Sequence, residues 1–285
     1  MKKTLFTLVF ATMAMGYSSL SLAASERDKF ALKILKQHYP KAKYDKEFQR
    51  WQYNDGEGDY YISYQVRDIQ TNEGKKRYVA IQEAMGATYV NSTFLYRFHQ
   101  QGDNWRLENK RLMEGDDEKI YGKSYVFAGM GEAKIVKLGK EHLGFQLRGV
   151  SGGTGGTERD IRWFYLVNNQ FKYLAGCISK GLRSEEIAFE CEPKIRTDMT
   201  ATNGFYPIEL HYSVSKDQVK SFIGEKIPKG WEGGPGGYIS KPVGKRKGKV
   251  LIEFNAEKQA YILPAKFEKI LVSQDRDNLI WNYFK

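Results

Sequence analysis

Tyr60, Ile62, Tyr64 and Val66 alternate with Tyr61, Ser63, Gln65 and Arg67. This period of two suits an extended strand with one buried face and does not suit a helix. Gly74 marks a turn after the run, and Arg77 to Ala84 reads as the returning partner. The same logic recurs three times. Phe94 to Phe98 turns at Gln101-Gly102-Asp103-Asn104 into Trp105 to Leu107, and Trp163 to Val167 turns at Asn168-Asn169-Gln170 into Phe171 to Leu174. Val250 to Phe254 turns at Asn255 to Lys258 into Ala260 to Leu263. Further strands are expected at Ala133 to Lys137, Gly144 to Arg148, Ile187 to Glu192 and Ile208 to Val214. The 19 Tyr and 16 Phe agree with this reading, because aromatic side chains fit a pleated, half-buried surface. The hairpins are irregularly spaced, which excludes a solenoid or propeller period.

Helical spacing is confined to two places. Residues 25–38 predict a helix that Ser25 can cap, with Phe30, Ala31, Ile34 and Leu35 on one face and Pro40 as the stop. A second short helix is expected to begin near Ser215, with Val219, Phe222 and Ile223 on its inner side. The expected fold class is therefore mainly β. Antiparallel sheets built from hairpins form a sandwich or an open, barrel-like arrangement, with a short N-terminal helix and one further short helix. Lys229 to Gly237 is too rich in glycine, with one proline, to hold regular structure well. Residues 229–249 are expected to be a long loop or linker within a single domain spanning 24–285.

The first 23 residues read as a secretory signal peptide. Lys2 and Lys3 precede an apolar stretch from Leu5 to Met15, too short for a stable membrane anchor, and Ser21-Leu22-Ala23 places small residues at a cleavage site. Cleavage after Ala23 predicts a periplasmic or secreted protein, with no transmembrane span in the mature chain. Losing Lys2 and Lys3 lowers the formal net charge from +11 to +9. An exported protein of that sign does not ordinarily meet chromosomal DNA, so its anionic partners are sought among envelope glycans, lipid headgroups and acidic proteins. Cys177 and Cys191 are the only cysteines, and an oxidising compartment favours their pairing. Closing that loop stabilises by roughly 3 kcal/mol in the chain-entropy model. Redox chemistry favours Cys-x-x-Cys, and zinc needs more ligands than two distant thiols.

Several motifs invite chemical readings. Gly149-Val150-Ser151-Gly152-Gly153 fits the letters of the Gly-x-Ser-x-Gly nucleophile elbow, in which the serine sits on a strand-to-helix turn. Here Thr154-Gly155-Gly156-Thr157 follows, and then another strand, so no helix begins where the elbow requires one. A serine hydrolase built on Ser151 would need His142 or His211 as its base. The plainer reading of 149–157 is a flexible glycine-rich hairpin loop, which could also serve as a contact surface. Asn54-Asp55-Gly56-Glu57-Gly58-Asp59 gathers carboxylates among glycines, but its spacing is not that of a calcium loop and a solvated turn accounts for it. Glu114 to Glu118 reads as another exposed acidic turn.

The densest basic run is Lys241-Pro242-Val243-Gly244-Lys245-Arg246-Lys247-Gly248-Lys249, with Trp231 and Tyr238 near it. Lys245, Arg246, Lys247 and Lys249 with the two aromatic rings are the expected binding residues, gripping an anionic glycan or an acidic protein face by charge and stacking. A solvated loop kept polar is the competing account. Metal-ligand histidine clusters and a dinucleotide fingerprint are absent from the sequence, so no metal and no cofactor are expected.

The hairpin around Gly102-Asp103-Asn104-Trp105 and the stretch from Leu138-Gly139 to Gly144-Phe145 resemble exported bacterial proteins of unknown function, a likeness that implies no activity. Export, one cysteine pair, basic charge and the lack of a catalytic constellation together predict a non-catalytic envelope binding protein. An inhibitor or immunity protein covering an exported toxin's active site is one form of it. A serine hydrolase using Ser151 and an envelope structural subunit are the alternatives.

Overall fold

The computed structural model describes residues 25–47, 50–54, 56, 58–85, 89–114, 119–120, 123–124, 129–130, 133–153, 156–167, 170–181, 186–224, 226–233 and 237–285. The expected signal segment, 1–23, lies outside the described residues, as do Asp55, Glu57 and residues 115–118 of the two acidic turns.

Helix α1 (Glu26–His38) begins at a reciprocal cap. The Ser25 hydroxyl accepts from the Asp28 backbone N–H, and the Asp28 carboxylate accepts from the Ser25 N–H. The first sheet follows in chain order as β1 (Lys43–Asp45), β2 (Arg50–Asn54), β3 (Asp59–Thr71), β4 (Gly74–Met85), β5 (Tyr89–Gln101) and β6 (Asn104–Glu114). Every neighbouring pair is antiparallel. Alternation along β4 sorts its side chains between two cores. Val79 and Ile81 pack under α1 with Ala31, Ile34 and Leu35, while Tyr78 and Ala80 face the second sheet.

After the small hairpin β7 (Lys119–Ile120) and β8 (Lys123–Ser124), the remaining strands build the second sheet. They are β9 (Gly129–Met130), β10 (Lys134–Lys137), β11 (Leu143–Gly153), β12 (Gly156–Val167), β13 (Gln170–Gly181), β14 (Ile187–Ile195), β15 (Ile208–Ser221), β16 (Glu232–Gly233), β17 (Tyr238–Asn255) and β18 (Ala260–Ile262). The spatial order is β10-β11-β12-β13-β14-β15-β17-β16, with β9 beside β11 and β18 beside β17. Phe145, Leu147, Phe164 and Phe171 cover the first sheet from β11–β13. On the opposite side, β12–β17 bury Trp163, Phe189, Leu210, Tyr212 and Val250 against helices α2 (Ala265–Val272) and α3 (Arg276–Tyr283). Among the described residues no helix is long and apolar enough to cross a membrane.

The mainly β, antiparallel, hairpin-built class read from the sequence is the observed one. Three local expectations need correction. No helix starts at Ser215, because β15 continues to Ser221 and its last residues pair with Tyr238 to Pro242. Among the described residues the helices besides α1 are α2 and α3 near the C-terminus. Residues 238–249 are strand rather than loop; a turn at Lys229–Gly230 precedes β16, and residues 234–236 lie outside the described residues. The glycine-rich loop at 149–157 is much shorter than expected. β11 runs to Gly153 and β12 starts at Gly156, leaving residues 154 and 155, which lie outside the described residues.

Candidate functional site

The basic run belongs to one long strand, and the strand's geometry divides its residues. Lys245, Lys247 and Lys249 are exposed and fall at alternate positions. Their Cβ atoms therefore project from one face about 7 Å apart. Arg246 and Gly248 fall between them and face the C-terminal helices. The Arg246 guanidinium donates to the main-chain carbonyls of Trp281 (2.6 Å) and Phe284 (3.2 Å) and lies 4.0 Å from the Trp281 ring centroid. Arg246 thus fastens α3 to the sheet and is not part of an exposed basic patch. Gly248 is small for a packing reason, since a Cβ there would come within 1.9 Å of Phe284. Gly244 is less crowded, a Cβ there coming within 3.3 Å of the Trp281 ring.

The lysine face is continuous with the neighbouring strands. Register places Lys247 beside Ser213 and Glu190, and Lys249 beside His211 and Glu192. Glu190, Glu192, His211, Ser213, Lys247 and Lys249 line a groove of about 510 Å3. Carboxylates stand on its β14 bank and ammonium groups on its β17 bank, about 10 Å apart by inter-strand spacing. On this side the first sheet covers β10–β13, whereas Glu190, Glu192, Lys247 and Lys249 on β14 and β17 are exposed. Lys249 is already engaged, donating to Glu209 at 3.2 Å. The same carboxylate lies 2.5 Å from His211 Nε2 and accepts from Arg196 at 2.9 Å. Desolvation raises the Glu209 carboxyl, but hydrogen bonds from Lys249 and His211 and the charges of Lys249 and Arg196 outweigh it and hold the group below the usual range. Lys245 and Lys247 have no ion-pair partner among the described residues.

β17 is also a sheet edge. It pairs with β15 along one side, and along the other, among the described residues, it meets only β16, at Ile239 and Ser240, and β18, at Glu253 to Asn255. Between these contacts the outer edge has no strand neighbour among the described residues. A register shift opposite Lys216 leaves Val243 as the extra residue next to Pro242, a bulge that ends the regular edge.

The other expected site residues lie apart. Trp231 packs under Lys220, whose Nζ is 4.2 Å from the ring centroid, and is partly buried. Tyr238 opens β17 about 23 Å along the strand from Lys245. The stacking pair is therefore not assembled with the lysines. Ser151 lies near the far end of β11, paired with Glu158. His142 precedes that same strand, about 30 Å away, and His211 stands four strands across the sheet. The fold brings neither imidazole to Ser151. His142 is committed to packing, with Nδ1 2.8 Å from the Tyr165 hydroxyl and its ring stacked on Phe205 at 4.3 Å. Cys177 and Cys191 form the expected disulfide, buried between β13 and β14 with Cα atoms 5.9 Å apart. Among the described residues no group of His, Cys, Asp or Glu is arranged to hold a metal ion.

The acidic bank was missed in the sequence, although its signal was present. Ile187-Ala188-Phe189-Glu190-Cys191-Glu192 alternates strictly, and the half facing away from Phe189 and Cys191 has to carry both glutamates. These features define a two-sheet antiparallel β protein that presents a lysine-lined strand edge beside a groove of mixed charge. Set against protein-family models, characterised proteins and solved structures, the chain matches none.

Proposed function

We propose that this chain is an exported, non-catalytic binding protein of the bacterial envelope that presents the β17 edge to an acidic protein partner. The observation that carries the reading is the ladder of Lys245, Lys247 and Lys249 on one exposed strand, with Lys245 and Lys247 unpaired among the described residues. Unpaired ammonium groups in a row attract a complementary surface and raise its rate of encounter. The pattern of residues 1–23 supports export, and the disulfide is compatible with it. An acidic protein is favoured over an anionic glycan because Glu190 and Glu192 border the same groove. A glycan polyanion lying flat across the face would meet those carboxylates, whereas an acidic polypeptide can follow the β17 edge, about 10 Å from them.

The test compares the oxidised protein with its Lys245→Glu/Lys247→Glu variant in binding an acidic polypeptide (polyglutamate) and a uronic-acid oligosaccharide, at low and high salt. The reading expects polyglutamate to bind the parent at least tenfold tighter than the variant. Equal binding to both proteins overturns it, as does binding of the oligosaccharide alone.

A further inference from the structure

Resting on the proposed binding role of β17, we infer that the partner is held by strand addition. An extended acidic segment pairs its backbone with the free edge of β17 over residues 244–252. Four observations converge on this mode. Among the described residues the edge has no strand partner between β16 and β18, so main-chain donors and acceptors at alternate positions point outward. The bulge at Val243 and the β18 ladder at Glu253 delimit nine residues, the length of an ordinary strand. Lys245, Lys247 and Lys249 project from one face of this stretch at strand spacing, so a neighbouring strand with acidic residues at every second position sets carboxylates beside Lys245 and Lys247, the two without an ion-pair partner among the described residues. Glu190 and Glu192 are two strands further in and lie about 15 Å from the added strand, too far to repel it strongly.

Charge also excludes the simplest rival occupant. A second copy pairing antiparallel through the same edge would set lysines beside lysines on the shared face, which is destabilising. The edge therefore selects against itself and for an acidic strand. Strand addition gives affinity through main-chain hydrogen bonds and specificity through alternate side chains.

The experiment uses the oxidised protein and three nonapeptides of alternating glutamate and threonine. One is unmodified, and the other two are N-methylated on opposite alternating sets of amides. All three carry the same charge. In an added strand only one set of amides faces β17, so one methylated peptide should bind like the parent and the other at least tenfold more weakly. Amide exchange should slow within 244–252 on binding, and Lys245→Glu/Lys247→Glu should lose at least tenfold for the unmodified peptide. If both methylated peptides bind equally well and the charge-reversed variant still loses binding, strand addition is wrong while the binding face stands. If the charge-reversed variant binds the unmodified peptide as well as the parent, or neither binds it, the binding face fails too.

Discussion

Reducing the Cys177–Cys191 disulfide should weaken one particular seam of the second sheet. β12 and β13 are paired along their length, and so are β14 and β15, but β13 and β14 share a single ladder pair among the described residues, Lys180 with Phe189. The crosslink lies beside that pair, reinforced by the Cys191 N–H donating to Ser179 Oγ at 2.9 Å. Its sequence separation of 14 corresponds to about 3 kcal/mol of lost unfolded-state entropy. For a chain of this size that is a fall in Tm of about 6–12 °C. Reduced parent protein keeps both sulfur atoms and isolates the crosslink, whereas Cys177→Ala/Cys191→Ala should cost about 1 kcal/mol more for the atoms removed from the core. Urea unfolding followed by the fluorescence of Trp163, buried in the same cluster as both cysteines, measures the total. Native-state hydrogen exchange locates it, with faster opening expected first in β13 and β14. A loss below 1 kcal/mol, or an even loss of protection across β10–β12 as well, would refute the seam argument.

Four further outcomes follow from named contacts. Gly248→Ala should displace the Phe284 ring at a cost of about 3 kcal/mol, and that cost should shrink in Gly248→Ala/Phe284→Ala; strictly additive urea midpoints would count against it. Glu108 accepts from Lys76 at 2.6 Å and from Arg97 at 2.5 Å, so Glu108→Gln leaves the largely buried Arg97 without its carboxylate and Lys76 with the exposed Glu73 alone, at 3.2 Å, and should cost about 3 kcal/mol by calorimetry. His38 and His142 are each held below 6.5 by burial first, aided by the charges of Lys110 and Arg97 respectively and opposed at His142 by Glu141, so the unfolded chain binds more protons as pH falls through 6.5 and stability should decline there. Urea midpoints at pH 7.5 and 5.5 should therefore differ less in His38→Gln/His142→Gln than in the parent. Finally, Lys245→Thr/Lys247→Thr/Lys249→Thr should self-associate in sedimentation experiments while Lys245→Glu/Lys247→Glu stays dispersed, because any single-sign charge guards an edge.

Local alternation made most strands legible because each β-strand declares its buried face every second residue. Partners distant in sequence did not declare themselves. Val219, Phe222 and Ile223 have helical spacing, yet β15 continues to Ser221 because Tyr238 to Pro242 supply a ladder that no local pattern reveals. Phe222 is only partly buried and Ile223 fully exposed, so the helical face had nothing to cover. Gly244, Gly248 and Pro242 read as loop residues for a related reason. In the strand, the glycines make room for Trp281 on α3 and for Phe284 just after it, and the proline adjoins the bulge at Val243. The C-terminal helices were within reach of sequence reasoning. Pro264 precedes Phe267, Ile270 and Leu271 at spacings of three and four, with both helices buried against the second sheet.

The candidate site was half legible for the same reason. Its lysines are contiguous and conspicuous, but whether a basic run is a solvated loop or an ordered ladder depends on the strand beside it. Once β15 pairs with β17, alternation separates Arg246, turned inward to hold α3, from Lys245 and Lys247, which are turned outward and have no ion-pair partner among the described residues. That division gives the same residues two effects of one sign. Repulsion between lysines opposes pairing of two copies of β17, and attraction by the same lysines lowers the cost of admitting an acidic strand. Replacing lysine with glutamate preserves the first effect and abolishes the second, and threonine removes both. Protection of the edge and recognition of a partner are therefore separable by experiment although they reside in the same side chains.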